Sequence, residues 1–185
     1  LKLEKGTKST DWSPAPEDLT NSAQSYTDSV VNDIKIGGRN LLIDSGRERS
    51  VTVATGATEA SFNTISLSEY GATQITEGAE LTASFDYEVD LTKTTNGAFY
   101  TRLNTTSTVP ARVVSDIIAV PRGRASITFK VTAAQAQHSS DFVFRVRIAL
   151  STEGASLKIW NVKLELGNRA TDWTPAPEDF IETTT

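Results

Sequence analysis

Cysteine is absent from the 185 residues, which excludes disulfides, thiolate nucleophiles and cysteine-bound metals. Histidine occurs once, as His138 in AQAQHSSD, so a zinc centre or a Ser–His–Asp triad would depend on one residue in a segment that reads as a turn. Methionine is missing throughout. There is no basic run: 18 Lys and Arg stand against 23 Asp and Glu, for a net charge of -5. That balance argues against nucleic acid as a partner, because phosphate binding needs gathered cations. No apolar stretch approaches the roughly 20 residues that cross a bilayer, and no signal-peptide pattern is read. A P-loop, a dinucleotide fingerprint, a nucleophile elbow and metal-ligand spacings are likewise missing. The expectation is a non-enzyme without a cofactor. A structural calcium ion is compatible with the composition, but no Asp-rich loop names its ligands.

What is present begins with a repeat. Lys2–Asp18 reads KLEKGTKSTDWSPAPED, and Lys163–Asp179 reads KLELGNRATDWTPAPED, identical at 12 of 17 positions with an offset of 161 residues. Offsets this long belong to whole domains in tandem rather than to solenoids. The expected organisation has residues 1–18 as the end of a preceding module and 19–37 as a helical stalk. Residues 38–174 form the module itself, and 175–185 an exit linker. On this reading the chain is one link of a longer protein. The phrase reads as a last strand, a turn at Gly167–Asn168, a closing Trp173, a stiff Pro-Ala-Pro segment, and a helix start at Pro177 followed by acidic residues.

After the first copy, Leu19, Ala23, Tyr26, Val30 and Ile34 fall at spacings of four, three, four and four, one apolar stripe on a helix that Gly37 and Gly38 would end. The stripe either packs on the module or joins identical chains in a short coiled coil. From Gly38 the apolar period changes to two. ELTASFDYEVDL sets Leu81, Ala83, Phe85, Tyr87 and Val89 against Asp86 and Glu88; RASITFKV, SFNTISL and DFVFRVRIAL alternate likewise, and LLI, SVTVA and VVSDIIAV supply shorter strands. KIWNVKLEL is expected to place Trp160, Val162, Leu164 and Leu166 on one face. Eight to ten short strands without a long internal helix predict an all-β fold, an antiparallel β-sandwich of jelly-roll type, preceded by a short N-terminal α-helix.

The outward strand face is where a ligand would be met. Asp86 and Glu88 occupy it on the longest strand. Asn96-Gly97 signals a hairpin whose second strand would add Tyr100, Arg102 and Asn104, and Arg145 and Arg147 belong to a further strand. An aromatic ring beside planar charged groups and an amide suits a sugar. The same groups equally suit cross-strand ion pairs on a solvated face.

The opening GGRNLLIDSG and the closing NVKLELGNRATDWTPAPED resemble modules of tail-fibre, tail-tip and baseplate receptor-binding proteins of siphophages and prophages of Gram-positive bacteria. The resemblance spans about residues 38–179. It implies a jelly roll similar to carbohydrate-binding modules, a place in the virion tail, and homotrimeric fibres. It also implies host cell-wall polysaccharide and other tail proteins as partners. It supplies no ligand residues. A spacer or trimerisation module without a ligand, and an ancillary domain of a tail-associated cell-wall hydrolase, remain the alternatives.

Overall fold

The computed structural model describes residues 3, 5–8, 11, 13–57, 60–61, 65–94, 100–104, 112–114, 120–139, 143–144, 146–149 and 153–180, with backbone only at 61, 100–104, 112–114, 143–144 and 146–149. Two units divide the chain, Leu1–Ile34 and Lys35–Thr185.

In the first unit, helix α1 runs Pro16–Asn32. Proline at the first helical position loses no hydrogen bond, and Glu17 and Asp18 face the positive end of the helix dipole. None of its residues is buried: Leu19 is 59% exposed, Tyr26 73% and Val30 45%. The stripe is shorter than its spacing predicted. Asp33 closes the helix, its N–H donating to the Ser29 carbonyl and the next N–H, that of Ile34, to the Val31 carbonyl, so Ile34 lies beyond the end. Asn32 and Asp33 are weak helix formers, and they stop the helix before the glycines do.

The second unit is the sandwich. Its strands are β1 (Arg49–Thr52), β2 (Ala60–Ser61), β3 (Ile65–Ser66), β4 (Glu80–Val89), β5 (Tyr100–Asn104), β6 (Arg112–Val114), β7 (Arg122–Lys130), β8 (Val143–Phe144), β9 (Val146–Ala149) and β10 (Ser156–Leu166). One sheet has the order β1-β10-β4-β7, the other β2-β9-β5-β6, and β3 pairs with β8. Every described pairing is antiparallel. The chain passes from one four-stranded sheet to the other between β1 and β2, β4 and β5, β6 and β7, and β9 and β10, and, by way of β3 and β8, between β2 and β4 and between β7 and β9, which is the wiring of a jelly roll. Two short helices, α2 (Glu69–Thr73) and α3 (Ala133–Gln137), are capped by Ser68 and Thr132.

Alternation along β4 buries Leu81, Ala83, Phe85, Tyr87 and Val89, and turns Asp86 and Glu88 away from the core. Two expectations are corrected. β4 and β5 are not a hairpin, because both flanks of β4 are filled by β10 and β7, and β5 pairs with β6 and β9 in the other sheet. Asn96-Gly97 itself falls outside the described residues. Trp160 does not face the core with Val162 and Leu164. Asn161 adopts a left-handed φ of 49° at a register shift between Trp160 and Lys163. This bulge inserts one residue. Leu157 and Ile159 are buried before it and Val162 and Leu164 after it, so Trp160 is left pointing outward.

The repeated phrase closes the sandwich. Asn40, completely buried, ties three segments together: its Oδ1 accepts from the N–H of Leu42 and Leu164, and its Nδ2 donates to Ser45 Oγ, the Val162 carbonyl and the Thr174 carbonyl. Trp173 donates Nε1–H to Ser45 Oγ at 3.4 Å and lies against Gly46, where a Cβ would stand 2.6 Å from its ring. Ala176 is fully buried, Glu178 pairs with Arg39 at 2.8 Å, and Asp179 accepts from the N–H of Asp44 and Ala176. The segment from residue 175, expected as a linker, is therefore bound through Asp179, and the unit begins at Lys35, where Ile36 bridges to Gly167. Pro177 opens a 3-10 turn, Pro177–Phe180, just as Pro16 opens α1.

Candidate functional site

The outward face of the β1-β10-β4-β7 sheet has a covered half and an open half. In the covered half, Lys163 and Glu165 project outward from β10 after the bulge and are 1% and 0% exposed. The closing segment Thr171–Asp179, hereafter the latch, lies over them through Thr171 and Asp172. Lys163 Nζ donates to Thr171 Oγ1 at 2.6 Å and to the Asp172 carbonyl at 2.8 Å, while Glu165 accepts from Thr171 N–H and Oγ1–H and from Gly38 N–H. Burial pushes the Lys163 ammonium below its ordinary value, and Glu165 opposes that shift. The pair is thus fully occupied in closing the module.

The open half centres on Trp160. The Arg122 guanidinium lies over its ring, 5.5 Å from the centroid, and Glu88, directly opposite Arg122 in register, is 4.0 Å from it. Asp86 sits opposite both Trp160 and Arg124. Its Oδ1 accepts from Arg124 at 3.0 Å and its Oδ2 from Asn161 Nδ2 at 2.8 Å. Arg124 also donates to Ser84 Oγ at 2.8 Å. Lys158 flanks Glu88 on the other side and reaches Glu48 at 3.8 Å. The arrangement is a half-buried indole among guanidinium and carboxylate groups, of which Asp86 and Arg124 hold one another in place. Arg122 and Glu88 keep 69% and 50% of their side chains open to solvent.

The residues expected to form one site are divided between the sheets. Asp86 and Glu88 lie beside Trp160. Tyr100, Arg102, Asn104 and Arg147 belong to the second sheet, where Arg102 stands opposite Arg147, Tyr100 opposite Ala149 and Asn104 opposite Arg112. Arg145 falls outside the described residues. The sequence reasoning missed Trp160, Arg122, Arg124 and Asn161. A signal for two of them was available: Arg122 and Arg124 alternate with inward residues on β7, as Asp86 and Glu88 do on β4.

Chemically, this face can stack a ring and hydrogen-bond hydroxyls. Asp86 and Glu88 are i,i+2 on one strand, about 7 Å apart at the backbone, and do not confront each other across a cleft as a glycosidase pair does. Among the described residues no group of three His, Asp or Glu is placed to hold a metal ion. A second concavity, about 720 Å³, lies beside the latch over Ile43 and Leu67. Its polar lining is committed to the closure: Arg39 stacks on Tyr70 at 3.9 Å and pairs with Glu178, and Asp179 holds Asp44.

No family model and no curated protein matches the chain. Among solved structures, a chain of the tripod (BppUct-A-L) from the baseplate of bacteriophage Tuc2009 is similar in fold, with 16% identity and a TM-score of 0.52 over 79% of this chain. The present chain spans 61% of the length of that one. Weaker similarities, at TM-scores of 0.38 and 0.35, are to a structure described as CBM4, covering 74% of this chain and 83% of the other at 15% identity, and to tailspike protein 4 of bacteriophage CBA120, covering 69% and 19% at 13% identity. At those scores they carry no structural argument. The tripod chain supports the fold: an antiparallel sandwich also used in a phage baseplate.

Proposed function

We propose that this chain is a module of a phage tail or baseplate fibre that binds a cell-surface carbohydrate of a Gram-positive host and performs no catalysis. The observation that carries the reading is the bulge at Asn161, which turns Trp160 out of the core onto a sheet face and sets it among Arg122, Glu88, Asp86 and Arg124. A tryptophan costs hydrophobic burial when it is turned outward, and a sugar ring on the part of the indole left exposed would recover it. The baseplate origin of the tripod chain supports a place in the virion tail, and its name as a tripod is compatible with a threefold assembly.

A structural role has its own support. No residue of α1 is buried, and Leu19, Tyr26 and Val30 present a stripe that copies of the chain could cover. A lone polar helix of 17 residues is marginal in water, so self-association through this face would stabilise it. The two roles are compatible in one fibre.

A glycan array and a cell-wall polysaccharide pull-down test the reading with three proteins: wild type, Trp160→Ala and Tyr100→Ala. Loss of binding in W160A, with Y100A unaffected, is the expected result. Binding lost only in Y100A would move the site to the second sheet, and binding by none of the three would remove the carbohydrate function.

A further inference from the structure

The chain carries the latch sequence twice. Thr10–Asp18 repeats Thr171–Asp179 with one change, Ser13 for Thr174. At that position the recorded bond uses the backbone carbonyl, which accepts from Asn40 and is common to both residues. Every side chain that the second copy places on the sandwich has its counterpart in the first: Trp12 for Trp173, Ala15 for Ala176, Glu17 for Glu178 and Asp18 for Asp179.

From residue 15 onward the first turn is hydrogen-bonded alike. Ala15 is extended and helix begins at Pro16, with the Asp18 N–H on the Ala15 carbonyl at 3.0 Å; helix begins likewise at Pro177, with the Asp179 N–H on the Ala176 carbonyl at 3.0 Å. What differs is burial. Ala176 is fully buried, whereas Ala15 and every other residue from 13 to 18 is exposed.

From these observations we infer that the cradle of Arg39, Asn40, Asp44, Ser45 and Gly46 is a peptide-binding site that also accepts Thr10–Asp18 of a second copy of this chain. Neighbouring copies would thus be stitched together by exchange of latches. The resident latch follows β10 directly and belongs to the same folded unit as its cradle, so it outcompetes a free segment at low concentration. Exchange therefore belongs to copies already held side by side, or to chains whose own latch is weakened.

The test uses the full chain. Trp173→Ala removes the anchor of the resident latch and leaves Trp12 on the other copy. Sedimentation velocity over a concentration series is expected to show W173A associating, while W12A/W173A, with the same α1, stays in the wild-type state. A synthetic peptide of residues 9–18 is expected to dissolve that association and to raise the Tm of W173A with dose; the same peptide with alanine in place of tryptophan should do neither. If W173A proves unfolded, E178A/D179A loosens the far end of the latch with both tryptophans kept, and the peptide titration of its Tm decides. Equal sedimentation of W173A and W12A/W173A, a Tm indifferent to the peptide, or a peptide effect that survives loss of its tryptophan would overturn the inference.

Discussion

Replacing Asn40 by alanine tests how the sandwich is closed, because this one side chain joins the incoming segment, β10 and the latch. Its amide carries two N–H donors shared among Ser45 Oγ at 2.8 Å, the Thr174 carbonyl at 3.0 Å and the Val162 carbonyl at 3.3 Å, so one hydrogen is divided between two acceptors. Its oxygen accepts from Leu42 at 3.1 Å and from Leu164 at 3.3 Å. Alanine thus removes the equivalent of four bonds at a fully buried position, and leaves two backbone N–H groups without this acceptor. At about 1 kcal/mol net per bond, the expected loss is about 3–4 kcal/mol of unfolding free energy. The assay is urea denaturation followed by tryptophan fluorescence. Asn40→Asp sharpens it. A carboxylate keeps both accepted bonds, loses all three donated ones, and buries a charge. Burial raises its folded pKa above the unfolded value of about 3.9, so the D variant should approach the wild type in acid and lose stability as pH rises through the folded pKa. A cost below about 1 kcal/mol for N40A would refute the hub.

Gly46→Ala should loosen the latch, since the new methyl would stand 2.6 Å from the Trp173 ring; its Tm loss and that of W173A are expected to be less than additive, which a double-mutant cycle reads. Lys163→Met strands Glu165 as a buried charge and is expected to cost about 3–5 kcal/mol by denaturant titration, and K163M/E165L should not recover it, because Glu165 is also the acceptor for Thr171 and Gly38. In acid, Glu80 and Asp90 contribute through lowered pKa values, Glu80 from the hydrogen bond of Lys35 and Asp90 from that of Thr92. Their stabilisation is present above the ordinary carboxylate values of 4.5 and 3.8 and lost as pH falls through the lower folded values, so a Tm–pH profile should decline below about pH 4.5, and less steeply in Lys35→Met.

The architecture was legible because a two-residue period reports which face of a strand meets the core: apolar and polar residues alternate along the whole of β4. The same rule misled at KIWNVKLEL. Periodicity assumes one residue per step, and a left-handed Asn161 adds a residue without any change in composition. Periodicity alone therefore places the site centre, Trp160, in the core. Turn chemistry failed differently. Asn-Gly favours a tight reversal but does not state which strand receives the returning chain, and Tyr100, Arg102 and Asn104 were assigned to the wrong partner. The doubled phrase was recognisable as a closing element, because a repeated tryptophan ahead of two prolines has a packing meaning that does not depend on register. That it buries Lys163 and Glu165 required the structure, since charged residues at outward strand positions ordinarily stay wet.

The central claim is that Trp160 is the ligand platform and Trp173 the structural latch. The indole N–H resonances of the uniformly 15N-labelled chain, assigned with W12F, W160F and W173F variants and followed during titration with purified cell-wall polysaccharide, test it directly. The account predicts that the Trp160 resonance shifts with saturation while that of Trp173 stays in place. A Trp160 resonance that does not move while the polysaccharide demonstrably binds would contradict it.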